Sequence, residues 1–166
     1  MSVHKWHLEY DPKWDRRFLD LAHHAAGWSK DPSTKVGAVA VRDRKILATC
    51  YNGLPEGIED LHGRLHDREE KLLRIVHAEA NIVAQAAKHG VSLEHATIYV
   101  TPFIPCNTCC SLLIQTGIDR VVVPNLPIPD RWKRSFDLSR DMFFEAGVEL
   151  TVIDPLPDVQ ETCLES

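Results

Sequence analysis

Two short segments, His77-Ala78-Glu79 and Pro105-Cys106-Asn107-Thr108-Cys109, constrain this chain more than any other feature. His77, Cys106 and Cys109 supply one imidazole nitrogen and two sulfurs, a zinc-ligand set, so a fold that uses them must bring two separated segments to one point. Cys106 and Cys109 stand three apart just after Pro105, where a helix begins, and both sulfurs therefore share one face. A helix start lowers thiol pKa through its partial positive charge, which favours the thiolates a metal requires. Three protein ligands leave the fourth tetrahedral position for water, as in catalytic zinc sites. A structural zinc needs a fourth protein ligand. Cys110, Cys50, His62 and His66 are the spare candidates, but none has a fixed spacing that recommends it, and a structural site leaves Glu79 and Pro105 unexplained.

Two thiolates cancel the formal charge of Zn2+, so its water is acidified less than at an all-histidine site and a nearby base must finish the activation. Glu79 is that base. It lies two residues from His77, a separation that does not place side chains on one helix face, and so reads as an acid/base and not a fourth ligand. The pattern H-x-E…P-C-x-x-C is the signature of zinc-dependent nucleobase deaminases. In such chemistry Glu79 takes a proton from the water and delivers protons to the ring nitrogen and then to the leaving ammonia. Cys110 reads as packing.

With 166 residues and 44% hydrophobic content, the chain suits one zinc-dependent domain over 1–166, with a core at about 11–153 and a loose tail from Asp154 to Ser166. Its net charge of -5 argues for a small substrate and against nucleic acid, which calls for a basic surface. Five cysteines, three of them crowded at Cys106, Cys109 and Cys110, suit a reducing compartment better than a disulfide framework. The N-terminal stretch with His4, Glu9 and Asp11 has no apolar core of a leader, and no run reaches membrane-spanning length, so the expected location is the cytoplasm.

Hydrophobic periodicity gives an alternating α/β order. Asp11-Pro12 starts a helix in which Trp14, Phe18, Leu21, Ala22, Ala25 and Trp28 recur at helical spacing, its aromatics facing the core. Val36 to Val41 and Lys45 to Cys50 form a hairpin through Arg42-Asp43-Arg44, and a polar loop with Gly53, Pro55, Gly57 and Gly63 follows. A second main helix starts either near Asp67 or at His77 and stops at Gly90. Ala96 to Val100 is a strand, Cys106 to Thr116 a helix, Arg120 to Val123 a strand, Arg131 to Ala146 a helix and Val148 to Ile153 a last strand. This order predicts an α/β fold, a three-layer α-β-α sandwich around a five-stranded mixed sheet.

From Trp28 to Ile153 the chain resembles the deoxycytidylate (dCMP) deaminases of the cytidine deaminase superfamily. Ser29-Lys30-Asp31-Pro32-Ser33-Thr34-Lys35-Val36-Gly37-Ala38 resembles their N-terminal segment, and Tyr51-Asn52-Gly53-Leu54-Pro55 their sugar-binding loop. Asp67-Arg68 through His77-Ala78-Glu79 matches the approach to the zinc histidine, and Phe103-Ile104-Pro105-Cys106 the wall of the base pocket. Asp130-Arg131-Trp132 through Glu145-Ala146-Gly147-Val148 is similar to the C-terminal part of bacterial and phage members. The resemblance implies a cytidine deaminase-like fold, one catalytic zinc, and hydrolysis of dCMP to dUMP and ammonia in the supply of dUMP for dTTP. It also implies a homo-oligomer, a hexamer in many relatives, with dCTP and dTTP as effectors and Mg2+ accompanying the effector.

The resemblance assigns substrate contacts to Ser29, Lys30, Ser33, Thr34, Asn52, Ala78, Phe103, Ile104, Arg131 and Trp132. Ser29, Lys30, Ser33, Thr34 and Lys35 bring hydroxyls and cations suited to a terminal phosphate, or form a solvated connecting loop. Asn52 contacts ribose and base, or is a turn residue that tolerates left-handed geometry. Phe103 stacks on the pyrimidine or packs in the core, while main-chain groups from Thr101 to Ile104 meet the amide edge. Arg131 and Trp132 close over the nucleotide, or Trp132 caps the sheet. Arg68, Lys71 and Arg74 read as a solvated helix face, with a reach to the phosphate as the alternative. His62 and His66 fall where some relatives bind a further zinc. Two other functions stay open: deamination of another base, in 5-substituted dCMP or a polynucleotide such as tRNA, and a zinc-stabilised nucleotide sensor without turnover, against which the intact Glu79 counts.

Overall fold

The computed structural model describes residues 12–154. Asp11, the segment with His4 and His7, and the tail expected over 155–166 lie outside the described residues.

Helix α1 runs from Pro12 to Ala26 and ends before Trp28. The strands are β1 (Gly37–Arg42), β2 (Lys45–Tyr51), β3 (Thr97–Thr101), β4 (Arg120–Pro124) and β5 (Glu149–Ile153). They form one sheet in the order β2-β1-β3-β4-β5. β1 pairs antiparallel with β2 and β3, whereas β3, β4 and β5 are parallel. Parallel neighbours need crossovers, and helices α5 (Asn107–Gln115) and α6 (Lys133–Glu145) supply them. The β1–β2 turn is made by Asp43 and Arg44, with φ of 52° and 62°, both positive as a two-residue hairpin turn of this twist demands.

The sheet alternates its side chains between two apolar layers. Val39, Val41, Tyr99 and Val122 meet Phe18, Leu19 and Ala22 of α1 on one face. On the other face, Ala38, Ala40, Ile98, Val100, Val121 and Val123 pack against residues of α5, α6 and α4 (Ala78–His89), among them Ile82, Leu113, Phe136 and Phe143. The fold is the three-layer α-β-α sandwich with the expected five-stranded mixed sheet.

Three local readings change. Trp28 is 54% exposed and not core: it lies beyond the end of α1 and meets only the edges of His24 and Tyr51. The two starts offered for the second helix are both real, but they begin different helices. Asp67 caps the five-residue α3 (Arg68–Leu72) by accepting from the amides of Glu69 and Glu70, and His77 separately begins α4. The loop before Asp67 also holds a single turn, α2 (His62–His66).

Candidate active site

The site lies along one edge of the sheet because of strand register. Gly37 at the start of β1 faces Tyr51 at the end of β2 and Thr101 at the end of β3. Chain entering β1 and chain leaving β2 and β3 therefore emerge together, and the parallel β4 adds the segment after Pro124. An isolated bridge between Gly53 and Val76, with N···O distances of 3.1 and 2.8 Å, brings the residue before His77 to the same edge.

His77 is the N-cap of α4 and Cys106 the N-cap of α5. Helix N-caps are commonly Ser, Thr, Asp or Asn, whose side chains bind the first free amides. Here neither side chain makes a capping bond. The two helix starts instead direct imidazole and thiols at each other: His77 Nδ1 lies 3.5 Å from Cys106 Sγ and 3.5 Å from Cys109 Sγ. The three ligand atoms all lie within 4.8 Å of one another. A tetrahedral zinc with bonds of about 2.0 Å to nitrogen and about 2.3 Å to sulfur separates those atoms by ~3.5 Å, so the donor set fits the metal in kind and in span. Cys110 is no ligand; it is fully buried with its thiol on the Ser139 carbonyl. Ser139 also donates to the carbonyl of Pro105, and Ser135 bonds both the amide and the side chain of Asn107, so α6 fixes the loop that carries Cys106.

The electrostatics agree with a cation at this point. Cys106 is pulled down to about 4, chiefly by the hydrogen bond from the Cys109 thiol and also by His77. Cys109 moves the opposite way, because it is the donor in that bond and is buried. Zinc would take the place of the shared proton and hold both sulfurs as thiolates. The amides of Cys109 and Ala80, both in the first turns of their helices, point at Cys106 Sγ and Cys109 Sγ.

Glu79 is 4% exposed, and its Oε2 has no hydrogen-bond partner among the described residues. Burial pushes its carboxyl up to about 7. An unsatisfied buried carboxylate oxygen is costly, and its natural explanation is a partner that comes and goes. A carboxyl with this pKa can both accept and return a proton near neutral pH.

A cavity of about 100 Å³ is walled by His77, Glu79 and Cys106 together with Ser33, Thr34, Asn52, Phe103, Ile104, Arg131 and Trp132. Eight of the eleven assigned substrate and catalytic positions lie in that wall, brought together from five separate segments. A larger hollow of about 720 Å³ adjoins it, with Asp31, Ser33, Thr34, Phe103 and Arg131 as common wall and Lys35 and the 125–129 segment beyond. His77, Glu79 and Cys106 line the smaller cavity and not the larger, so volume alone does not mark the chemistry. Trp132 stacks on Phe136 with centroids 5.9 Å apart, and Phe103 meets the same ring at 6.0 Å; both are cavity wall.

The structure does not bring Ser29, Lys30 or Ala78 to either cavity. The Ser29 hydroxyl is buried on the Asn52 carbonyl at 2.9 Å, Lys30 turns outward to Asp60, and Ala78 is fully buried in the first turn of α4. Asn52 is in the wall, but its amide group is engaged: Nδ2 donates to Thr34 O and Asp31 Oδ2, and Oδ1 accepts from the amide of Val36. Its visible work is to hold the 31–36 loop. Sequence reasoning passed over Asp31, and it read Lys71 as part of a solvated face, whereas Lys71 is buried in the same wall. Arg68 does line the small cavity, and Arg74 stays on Glu70. His62 and His66 stack on each other at 3.8 Å, but among the described residues only His77, Cys106 and Cys109 group as a metal-ligand set.

Residues 12–125 match the profile of a family described as "Cytidine and deoxycytidylate deaminase zinc-binding region". The chain is 41% identical over 141 residues to a protein of Aliivibrio fischeri named as an uncharacterized deaminase in the luxG 3' region, covering 84% of this chain and 92% of that one. It is 39% identical over 125 residues to the deoxycytidylate deaminase of Mycobacterium phage D29, covering 68% and 95%. In three dimensions it is similar to the dCMP deaminase of the cyanophage S-TIM5 solved with dCMP and dUMP, with a TM-score of 0.71 at 25% identity, covering 87% of this chain and 99% of that one. Among the described residues no helix is long and apolar enough to cross a membrane.

Proposed function

Because this chain belongs to the cytidine and deoxycytidylate deaminase zinc-binding family, we propose that it hydrolyses dCMP to dUMP and ammonia. The observation that carries the reading is the buried Glu79 carboxyl, with one oxygen unpartnered, in the wall that also holds His77 and Cys106. His77, Cys106 and Cys109 would hold zinc, which when bound supplies a Lewis acid that makes water a nucleophile near neutral pH.

The remaining work falls to the protein's own side chains. Glu79 takes a proton as the water oxygen bonds to C4 and passes it to the ring nitrogen; it then takes the remaining proton from the new C4 hydroxyl and passes it to the amine as the C4–N bond breaks, leaving a C4 carbonyl and ammonia. Phe103, Ile104 and Trp132 form an apolar slot for the flat base and keep bulk water from it. Ser33 and Thr34 stand at the junction of the two cavities, and Lys35 and Arg131 line the larger one with no acidic partner among the described residues. Two unpaired cations beside two hydroxyls suit the 5′-phosphate. Residues 12–154 act as one domain in this reading. The same reading expects a cytoplasmic homo-oligomer, hexameric if it follows its family, with dCTP and dTTP as effectors accompanied by Mg2+. Light scattering and turnover of dCMP with added effector test those parts.

The deciding experiment compares steady-state deamination of dCMP, CMP, deoxycytidine and a short cytidine-containing oligonucleotide, with zinc content recorded. Preference for dCMP supports the proposal. Zinc-loaded protein that leaves dCMP untouched while turning over another of the four would overturn it.

A further inference from the structure

Lys71 and Asp31 are each 5% exposed and meet at 2.8 Å between Nζ and Oδ1. Lys71 also donates to Ser33 Oγ at 2.9 Å. The Asp31 carboxylate further accepts from the amides of Ser33 and Thr34 and from Asn52 Nδ2, so four donors converge on one buried side chain. A buried ion pair adds little net stability, because desolvation offsets the attraction. Stability is therefore a weak reason to place one in a cavity wall. Its definite effect is geometric: it ties α3, six residues ahead of His77, to the loop that forms the common wall of both cavities.

We propose that Lys71 is a positioning residue which, through Asp31 and Ser33, holds the 31–35 loop against α3 and so sets the preference for the phosphorylated substrate over the free nucleoside. The proposal rests on the reading that this loop faces the substrate phosphate. Ser33, Thr34 and Lys35 can contact a phosphate only if the loop stays at the junction of the cavities, and no backbone ladder holds it there, since β1 begins only at Gly37. Asp31 orders the turn from within, through the Ser33 and Thr34 amides. Lys71 anchors that turn from outside. The zinc ligands and Glu79 sit at the starts of α4 and α5, and among the described residues no hydrogen bond joins their side chains to the pair, so its loss separates substrate selection from chemistry.

Two variants test this: Lys71→Met, which keeps length and removes the charge, and Asp31→Asn combined with Lys71→Met, which leaves no buried charge unpaired. Both are expected to retain zinc and a kcat within about threefold of the parent, while KM for dCMP rises about tenfold or more and kcat/KM for deoxycytidine changes little. Hydrogen exchange at the amides of Ser33, Thr34 and Val36 should quicken about tenfold, with α4 and α5 unchanged. If the double variant recovers stability and the parent's KM for dCMP, or if exchange rises evenly through the chain, the pair is only structural and the proposal fails. Should the parent itself ignore dCMP, the substrate reading fails, and the exchange contrast alone decides whether Lys71 positions the loop.

Discussion

Glu79→Gln removes one proton site and almost nothing else. Glutamine matches the shape of the side chain, but its amide cannot hold or release a proton as a carboxyl does. Positioned acid–base groups contribute roughly 10²–10⁴ in rate, and Glu79 is assigned the carriage of both water protons, so kcat should fall by about 10³ or more, which is ~4 kcal/mol of barrier. Zinc content and KM for dCMP should hold. Stability should change in the opposite sense. Burial raises the Glu79 carboxyl from 4.5 to about 7, a shift of about 2.5 units or roughly 3 kcal/mol against the charged form. Because the folded pKa is the higher one, there is no penalty below the unfolded value near 4.5; stability is lost as pH rises between the two values and stays lost above about 7. Bound zinc would oppose the shift, so the melts belong on chelated protein. There Glu79→Gln should be the more stable protein at pH 8, by up to roughly 3 kcal/mol or several degrees in Tm, with the gain gone near pH 4. A variant that keeps kcat within about tenfold of the parent would refute Glu79 as proton carrier. One that loses its zinc would make Glu79 a ligand.

Other perturbations separate site from scaffold. Asp15 is buried between the Arg120 guanidinium, at 3.0 and 2.8 Å, and the Tyr99 hydroxyl at 2.7 Å. Asp15→Ala should cost roughly 1–3 kcal/mol in denaturant titration, because the half-buried Arg120 guanidinium and the Tyr99 hydroxyl lose this partner while Arg120 keeps Glu149, with kcat unchanged under folding conditions. At Gly37 an added Cβ would sit 1.9 Å from the Ala22 carbonyl oxygen and 2.6 Å from the Ala26 amide nitrogen, so Gly37→Ala must push α1 off the sheet. Denaturant titration should show a loss of about 1–3 kcal/mol or more, and KM should rise because the site loop enters β1 there. Cys106→Ser should abolish both zinc binding and turnover in metal analysis and assay. Chelation of the parent should abolish turnover reversibly, with activity returning on added zinc.

The sequence was most readable where chemistry or backbone geometry restricts the choice of residue. Few side chains bind zinc, so His77, Cys106 and Cys109 identified themselves, and a lone acid beside them could be given a role. The hairpin was legible because β-rich runs flank a short polar turn. Lys71 was not, and the reason is physical. Periodicity tells which residues share a face of their own helix, and Arg68 and Lys71 do share one; it says nothing about what covers that face. The acid that makes burial of Lys71 tolerable is Asp31, 40 residues earlier. Ser29 and Lys30 failed in the converse way. A run of hydroxyls and cations is a fair description of a phosphate loop, but direction is decided residue by residue, and these two point at Asn52 and Asp60. For Asn52 the resemblance implies a substrate contact and its place after a strand a turn residue; neither signal carries the hydrogen bonds by which its amide group holds the neighbouring loop.

The register of the sheet explains why these parts meet and also divides their labour. The tight turn at Asp43 and Arg44, followed by the one-residue register shift between Ala40 and Val41, sets Gly37 opposite Tyr51, the β1–β3 pairing sets Gly37 opposite Thr101, and the loops that leave this row of residues supply much of the cavity wall. The metal ligands and Glu79 instead occupy the starts of two helices packed against one face of the sheet, where buried side chains and the Ser139 contact hold them. Helix ends anchored in a core tolerate little movement, whereas loops at a sheet edge accept substitution at small cost to the fold. Changes at 77–79 and 106–109 should therefore decide whether a base is deaminated, and changes at 31–35 and 125–132 should decide which one. The buried Lys71–Asp31 pair bridges the two regions, reaching from the approach to His77 into the loop that walls both cavities, and this is why its removal should alter selectivity before it alters rate.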